Sequence, residues 1–457
     1  MDSIGHYDLA VVGGGIAGLY CCLHAPAGMK IALFEATDRL GGKIETVPME
    51  RFQAEYGAMR FDPDRQPRVG RLLRELGLET EPFPEYNSPP VQERRTQYDL
   101  AADEKNFNAL ELFTRGIGRV LGPSEEELMH LTPQELEDFH RHHRHGGHRL
   151  WEHGLWNLLS EVLSPGAIQY ILNDGSFFHL VHENPGAAWM LTWVRMLQMS
   201  PYLRGVRGGM QQITDRMLAQ VRDRGGAVHL NHALQALAPN GPQKVTLAFE
   251  AGTCTADQVM LALPPCPLRA VRGLPRDIRG LLDSVLLIPL LKCFFVVRDP
   301  WWRGNKPNRG VGGFPTRELH YYRQEDRGNI MVYADRPCLN FWSRHVHNRC
   351  HGRAELDNDP ELPRVFAKRT QIDPQTILAC GIRDWGREPY GAAGHLWRPG
   401  VEPWKISERL ESFSLTGRAA GNVHICGEAF SDFQGFMEGA LRSAQNALGR
   451  ILDGRTT

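Results

Sequence analysis

The sequence predicts an α/β protein: a doubly wound, mostly parallel sheet assembled from separated pieces of the chain, accompanied by a domain with a mixed sheet and by a helical insertion. Three observations predict it. The chain opens with a strand, a glycine turn, a helix and a second strand; a long block in the middle is helical; and strand signals then return and close with one more buried strand and an amphipathic helix.

Composition restricts the function classes. At 457 residues the chain is too long for one compact core. Hydrophobic residues at 42% and charged residues at 23% are ordinary for a globular protein, and the net charge of -1 gives no reason to expect nucleic acid or an anionic membrane as partner. Nine cysteines, including the adjacent Cys21 and Cys22 in an expected helix, do not form a disulfide framework and favour a reducing compartment. The N-terminus lacks a basic region followed by a long apolar run, and the run from Ser284 to Val297 contains Pro289 and Lys292 and is too short to span a bilayer. A soluble, cytoplasmic protein is expected.

The elements follow in order. Tyr7 to Val12 is a short apolar run ending at Gly13, and Ile16 to Leu23 has the content of a buried helix. HAPAG breaks that helix, and KIALFEA is a second buried strand ending at Glu35. RVGRLLRELGL reads as a helix and the proline-rich PFPEYNSPP as loop. ELFTRGIGRVL, PSEEELMHL, PQELEDFHRHH and WNLLSEVL then read as successive helices. Beyond Gly208 a helix, MQQITDRMLAQVRDR, precedes the strand-like AVHLNHALQALA, KVTLAFEAG and ADQVMLAL. LLKCFFVV and GNIMVYA are strands of a mixed region, NVHICGEAF is the last buried strand, and Ala440, Leu441, Ala444, Ala447, Leu448 and Ile451 form one apolar helical stripe. The expected division is a dinucleotide domain of Rossmann type in three pieces (1–65, 204–266 and 417–457), a substrate domain in two (66–100 and 267–416), and a helical domain at 101–203.

Gly13, Gly15 and Gly18 stand in G-x-G-x-x-G spacing between strand and helix. The first permits a tight turn, the second lets the backbone approach a pyrophosphate, and the third allows helix to pack closely on strand. Glu35, at the end of the next strand, is placed to accept hydrogen bonds from a ribose. The motif does not choose between FAD and a nicotinamide dinucleotide. That choice comes from ATDRLGGK, where Arg39, Gly41, Gly42 and Lys43 add a second glycine turn with cations, and from CGEAFSDFQGFMEGAL, where Glu428 follows a strand and Gly435 to Met437 begin a helix whose N-terminus could stabilise negative charge on a reduced flavin.

At these residues the chain resembles the flavin-dependent amine oxidase family, over nearly its whole length. The resemblance implies FAD contacts from Gly13, Gly15, Ile16, Ala17 and Gly18; from Glu35, Ala36, Arg39, Gly42 and Lys43; from Gly57, Ala58, Met59 and Arg60; from Val228 and Trp385; and from Gly427, Glu428, Gly435, Phe436 and Met437. Within this set Glu35 would bind the adenosine ribose, Glu428 a ribityl hydroxyl, and Val228 the adenine through its backbone. Lys43 departs from the family's usual arginine, keeping charge without the bidentate fork. Some members link the flavin to a cysteine; PYGAAGHLW has Gly394 at that place, so the FAD is expected to be non-covalent.

EYGAMRF, residues 55 to 61, is similar to the L-amino-acid oxidase branch, in which the arginine after the turn pairs with the substrate carboxylate. A carboxylate in a water-poor pocket is costly unless paired, and the guanidinium fork of Arg60 fits its two oxygens. The alternative for Arg60 is an ion pair with Asp62, Asp64 or a phosphate. Tyr333 resembles the tyrosine that shares the carboxylate. Lys292, amid apolar residues, must be paired, solvated by a trapped water or turned outward; the resemblance implies that it holds a water against the reactive flavin nitrogen. Trp385, Tyr390 and Phe436 are similar to the family's aromatic walls. Of Tyr321 and Tyr322, which alternate faces of a strand, at most one enters the pocket; Tyr322 is the candidate. HRHHRHGGH reads as a solvated helix end rather than a metal site, and His179 or His182 could take a proton from the substrate.

The implied activity is oxidative deamination of an L-amino acid by hydride transfer to FAD and reoxidation by dioxygen, giving a 2-oxo acid, ammonia and hydrogen peroxide, with large apolar or aromatic substrates favoured. An amide-forming 2-monooxygenase, an amine or polyamine oxidase, and a redox-silent flavoprotein are the alternatives. The helical block joins subunits in many members of the family, so a homodimer is expected.

Overall fold

The computed structural model describes residues 3–83, 97–122, 130–175, 183–190, 192, 203–302, 308–311, 314–346, 361–417 and 421–456. His179 and His182 lie outside them, as does most of PFPEYNSPP and PSEEELMHL. A seven-stranded sheet takes its strands from both ends and the middle of the chain, in the order 234–240, 244–249, 252–261, 3–12, 31–34 and 227–229, with 423–425 paired to the C-terminal part of 252–261. The strands nearest the glycine turn run parallel: Leu9 to Val12 pair with Ile31 to Phe34, and Leu33 pairs with Val228. AVHLNHALQALA is therefore two strands, broken at Asn231, whose φ of 58° lies in the left-handed region.

Two helices lie against this sheet for reasons visible in their composition. The helix Ile16–His24 buries all of its residues except Tyr20 and His24, and the helix Met437–Thr456 turns Ala440, Leu441, Ala444, Ala447, Leu448 and Ile451 into the same core. Small residues on the stripe let the two axes approach closely. A second sheet of five strands has the order 308–311, 318–324, 327–334, 291–298 and 377–384, with antiparallel pairing between neighbours. One face packs on Phe366 and Trp342; the other packs on the hairpin of Thr46–Met49 and Phe52–Glu55 that leads into EYGAMRF. That second face carries the candidate site.

The helices Ala109–Leu121, Pro133–His142, Leu155–Val162 and Pro165–Asp174 form the helical block. HRHHRHGGH departs from expectation. The helix stops at His142, and a short hairpin of Arg144–His145 with His148–Arg149 turns at Gly146 and Gly147. His140 is buried against Trp189 and bonded to Thr192 rather than solvated, because it faces inward while the hairpin faces out. No helix among the described residues is long and apolar enough to cross a membrane.

Candidate active site

The glycine turn is built as its spacing requires. Gly13 has φ 107°, and a Cβ there would lie 2.4 Å from the carbonyl oxygen of Ala262. A Cβ on Gly18 would lie 1.9 Å from the carbonyl oxygen of Gly13, so helix and turn can touch only through glycine. The helix starts after Gly15 with no side chain capping it, leaving amide groups directed at the turn. Glu35 accepts from the amide of Gly14 at 2.7 Å and from the hydroxyl and amide of Thr37, which fixes its carboxylate at the end of its strand. Ile16 and Ala17 are buried at the helix start, Ala36 follows Glu35, and the backbone of Val228 lies on the sheet edge beside that strand. These residues fit a dinucleotide's ribose and diphosphate. Gly18→Ala is expected to abolish retention of FAD during purification, measured as visible absorbance per mole of protein; a stoichiometric flavin content would contradict this packing.

The second turn differs from the expectation for Arg39. Its guanidinium donates to the carbonyls of Leu40 and Ile44 at 2.9 and 3.3 Å and to that of Gly42, and it lies 3.5 Å from Glu45, so it staples the turn rather than reaching for phosphate. Glu45 also faces Arg383 at 3.1 Å, forming a buried cluster of two guanidinium groups and one carboxylate that ties the turn to the second sheet. Lys43 lies 3.2 Å from Glu428. Glu428 is gripped from its other side by Nδ1 of His395, at 3.0 and 2.9 Å from its two oxygens. Burial acts to raise the Glu428 carboxyl, but His395 and Lys43 outweigh it and hold it down to about 2. Nε2 of His395 is buried with no hydrogen-bond partner among the described residues. Gly394 packs against Gly435, and at both Gly427 and Gly435 a Cβ would meet no atom within 4 Å, so the space beside the start of the last helix is open. Phe436, half-buried, stands there edge-on to Phe433, with Met437 buried behind it.

EYGAMRF runs from this cradle to the second sheet. Gly57 is pressed on Lys43, where a Cβ would lie 1.9 Å from the carbonyl oxygen, and the amide of Ala58 donates to that same carbonyl at 3.1 Å. Lys292 is 3% exposed and donates to the carbonyls of Glu55 and Gly57 at 2.9 and 2.7 Å, with the sulfur of Met59 at 3.5 Å. It is thus paired, not turned outward, and its ammonium lies 5.1 Å over the ring of Tyr333. Register explains the meeting: Glu318, Tyr333, Lys292 and Arg383 stand opposite one another across four strands, in one row on one face. Burial pushes the Lys292 ammonium down to about 7; Glu55 and Glu318 oppose the shift and Arg60 adds to it. Burial also raises Tyr322 to about 12, against the field of Arg60. Arg60 itself stacks 5.3 Å over Phe83. Asp62, its suggested alternative partner, accepts from the amides of Asp64 and Arg65.

Tyr322 lies on the face of Lys292, while Tyr321 packs on the opposite face against Trp302. Trp385 is 3% exposed; its indole donates to the carbonyl of Tyr56 at 2.7 Å and its ring carries the guanidinium of Arg383 at 4.3 Å, so it braces the EYGAMRF turn from behind more than it walls a pocket. Tyr390 meets its edge at 5.0 Å.

Three residues escaped the sequence reading: Glu55, His395 and Arg383 are ordinary polar residues in sequence whose partners come from distant segments. Glu55 accepts from the amide of Met210 and the hydroxyl of Thr46, both at 2.8 Å, yet burial raises its carboxyl from 4.5 to about 7. The folded state therefore keeps a proton that the unfolded chain releases, and this contribution to stability is full below pH 4.5 and lost as pH rises through about 7. Lys292, lowered from 10.5 to about 7, acts oppositely in the next window: its burial cost is full below about pH 7 and is relieved as pH rises toward 10.5. Glu55→Gln is expected to remove its share of the decline, so that the thermal midpoint of the variant falls less across pH 4.5 to 7 than that of the parent, in which Asp335, also raised to about 7 by burial, contributes as well; parallel curves would contradict the assignment.

The parallel sheet with its uncapped glycine turn, joined to a second sheet through the EYGAMRF turn, fits the class of flavin-binding oxidoreductases. The family model described as flavin containing amine oxidoreductase matches residues 16–452, and the chain belongs to that family. Its cofactor is FAD. Among curated relatives, the L-amino-acid oxidase of Sistrurus catenatus edwardsii is 22% identical over 463 residues, covering 96% of this chain and 86% of the relative. The L-amino-acid oxidase of Naja atra is 23% identical over 472 residues, with the same coverages. A solved structure of putrescine oxidase bound to putrescine superposes with TM-score 0.67 at 19% identity, covering 99% of this chain and 100% of that one. A cofactor-binding redesign of putrescine oxidase reaches TM-score 0.69 at 18% identity.

Proposed function

We propose that the protein is an L-amino-acid oxidase, converting an L-amino acid, dioxygen and water to a 2-oxo acid, ammonia and hydrogen peroxide. The observation that carries this reading is the place of Arg60 at the end of the turn that Lys292 holds by the carbonyls of Glu55 and Gly57: its field acts on the buried ammonium of Lys292 and on Tyr322, and a guanidinium beside that volume favours an anionic ligand. A substrate carboxylate is such a ligand. Arg60 offers it a fork, and Tyr333, in register with Lys292, offers a phenol from the same face. Tyr322 and Phe436 would bound the side chain, favouring large apolar or aromatic substrates. FAD, held by the glycine turn, Glu35, Lys43 and Glu428, would supply the two-electron acceptor when bound. Lys292 keeps a proton-bearing group at the back of the pocket, and by resemblance it serves the reaction with dioxygen.

The snake relatives carry the name L-amino-acid oxidase, whereas the solved neighbours are putrescine oxidases, and this favours an amine oxidase as the second reading. Product analysis under air tests the first. One peroxide and one 2-oxo acid per amino acid consumed is expected. An amide with carbon dioxide would identify a monooxygenase instead, and turnover confined to amines without a carboxylate would overturn the reading.

A further inference from the structure

We propose that His395 is a positioning residue for the cofactor: its neutral imidazole donates Nδ1–H to Glu428 and keeps that carboxylate ionised and aimed at the ribityl hydroxyls of FAD. The short strand Gly394–Trp397 pairs antiparallel with Val285–Ile288, so that Gly394 stands opposite Ile288 and His395 opposite Leu287. Gly394 is the point of closest approach to the last helix: a Cβ there would lie 3.6 Å from Cα of Gly435 and 3.8 Å from Oε1 of Glu428. The next residue is thereby brought beside the turn that carries Glu428. Nδ1 of His395 lies 3.0 and 2.9 Å from Oε1 and Oε2, and Nζ of Lys43 lies 3.2 Å from Oε2. The His395 side chain is 0% exposed and that of Glu428 is 10% exposed. Glu428 thus keeps surface for a ligand and His395 has none, so the histidine acts through the carboxylate.

The partners fix the tautomer. An ionised carboxylate only accepts, so the hydrogen between the two side chains sits on Nδ1. Nε2 is buried with no hydrogen-bond partner among the described residues. A protonated ring would bring a charged N–H into that unpartnered place, whereas the neutral ring leaves only a lone pair there. Burial accordingly lowers the His395 imidazolium; Glu428 opposes the shift, and Lys43 from the glycine turn and Arg269 from the helix Pro265–Ala270 add to it. His395 therefore supplies a donor and Lys43 the compensating charge. With both in place, the carboxylate is ionised and its remaining lone pairs are open to a hydroxyl of the cofactor.

The inference rests on the reading of Glu428 as an FAD ligand and is independent of the substrate. The test is the rate at which the holoenzyme releases FAD on dilution, followed by flavin fluorescence between pH 8 and pH 5. The proteins compared are the parent, His395→Leu, His395→Asn, Glu428→Gln and the double variant His395→Leu with Glu428→Gln. His395→Leu is expected to release FAD about 10 to 10²-fold faster than the parent near neutral pH. The ratio should widen toward pH 5, because a buried Glu428 left with Lys43 alone takes up a proton more readily. His395→Asn, which sets an amide donor near the place of Nδ1, should restore most of the loss. On the Glu428→Gln background, His395→Leu should add no acceleration that grows with acidity. Glu55, Asp335 and Lys292, which all titrate near pH 7, are common to the five proteins and cancel in the ratios. Equal release from parent and His395→Leu, or the same acid-dependent acceleration with and without Glu428, overturns the proposal. If His395→Leu is purified without flavin, normal flavin content in His395→Asn supports it, and flavin missing from both overturns it. If Glu428→Gln holds FAD as the parent does, the reading of Glu428 fails and the proposal falls with it; if Glu428→Gln loses FAD while His395→Leu does not, only the role of His395 falls.

Discussion

Arg60→Ala is expected to lower kcat/KM for L-amino acids by about 10² to 10³-fold while leaving FAD bound. The magnitude follows from removing one partner of a buried, charge-assisted pair, which costs on the order of 3–5 kcal/mol because the remaining charge stays out of water. The loss should fall on both KM and kcat, since the carboxylate contact also sets the α-carbon against the oxidant. Arg60→Lys should recover part of it, through charge without the fork. A carboxylate-free amine should be indifferent to either change. The pocket contains Lys292, whose depressed ammonium is partly a consequence of Arg60; removing the guanidinium should also let Lys292 hold its proton to higher pH. Equal turnover of L-amino acids by parent and Arg60→Ala would dismiss the clamp.

The second large effect is expected at Lys292. Its ammonium holds the carbonyls of Glu55 and Gly57 and the sulfur of Met59, three atoms of the turn that ends in Arg60. Lys292→Met keeps the volume and removes both the donor and the charge. Bleaching of the flavin by substrate should persist, whereas oxygen consumption should fall by on the order of 10²-fold, the usual loss when a preorganised donor is withdrawn from developing negative charge. Stopped-flow mixing of substrate-treated protein with air-saturated buffer measures it. An unaltered oxygen rate would reduce Lys292 to a brace for the turn.

The parts legible in the sequence are those whose cause is local. Gly13 and Gly18 announce a turn because no other residue fits against Ala262 and Gly13, and the stripe from Ala440 to Ile451 announces a buried helix because its period is that of the backbone. Lys292 is conspicuous because an ammonium within an apolar run must be paired, solvated by a trapped water or turned outward. The ion clusters are not legible. Glu45 and Arg383 meet across the two sheets, and His395 and Glu428 meet where Gly394 packs on Gly435; neither pair has a period or a spacing. Arg39 has a related cause: a cation in a glycine turn suits a phosphate or the turn's own carbonyls equally well, and its bonds to Leu40 and Ile44, with Glu45 alongside, come from the folded turn rather than from its spacing. Trp385 was read from its kind of side chain, while its bond to Tyr56 depends on how the turn crosses the sheet.

The central claim is that the substrate of this FAD enzyme carries a carboxylate. The most direct measurement is anaerobic mixing of the parent protein with L-amino acids, D-amino acids and putrescine, following the visible flavin absorbance. Bleaching by L-amino acids, with D-amino acids and putrescine inert, is the predicted result. Rapid bleaching by putrescine with every amino acid inert would contradict it.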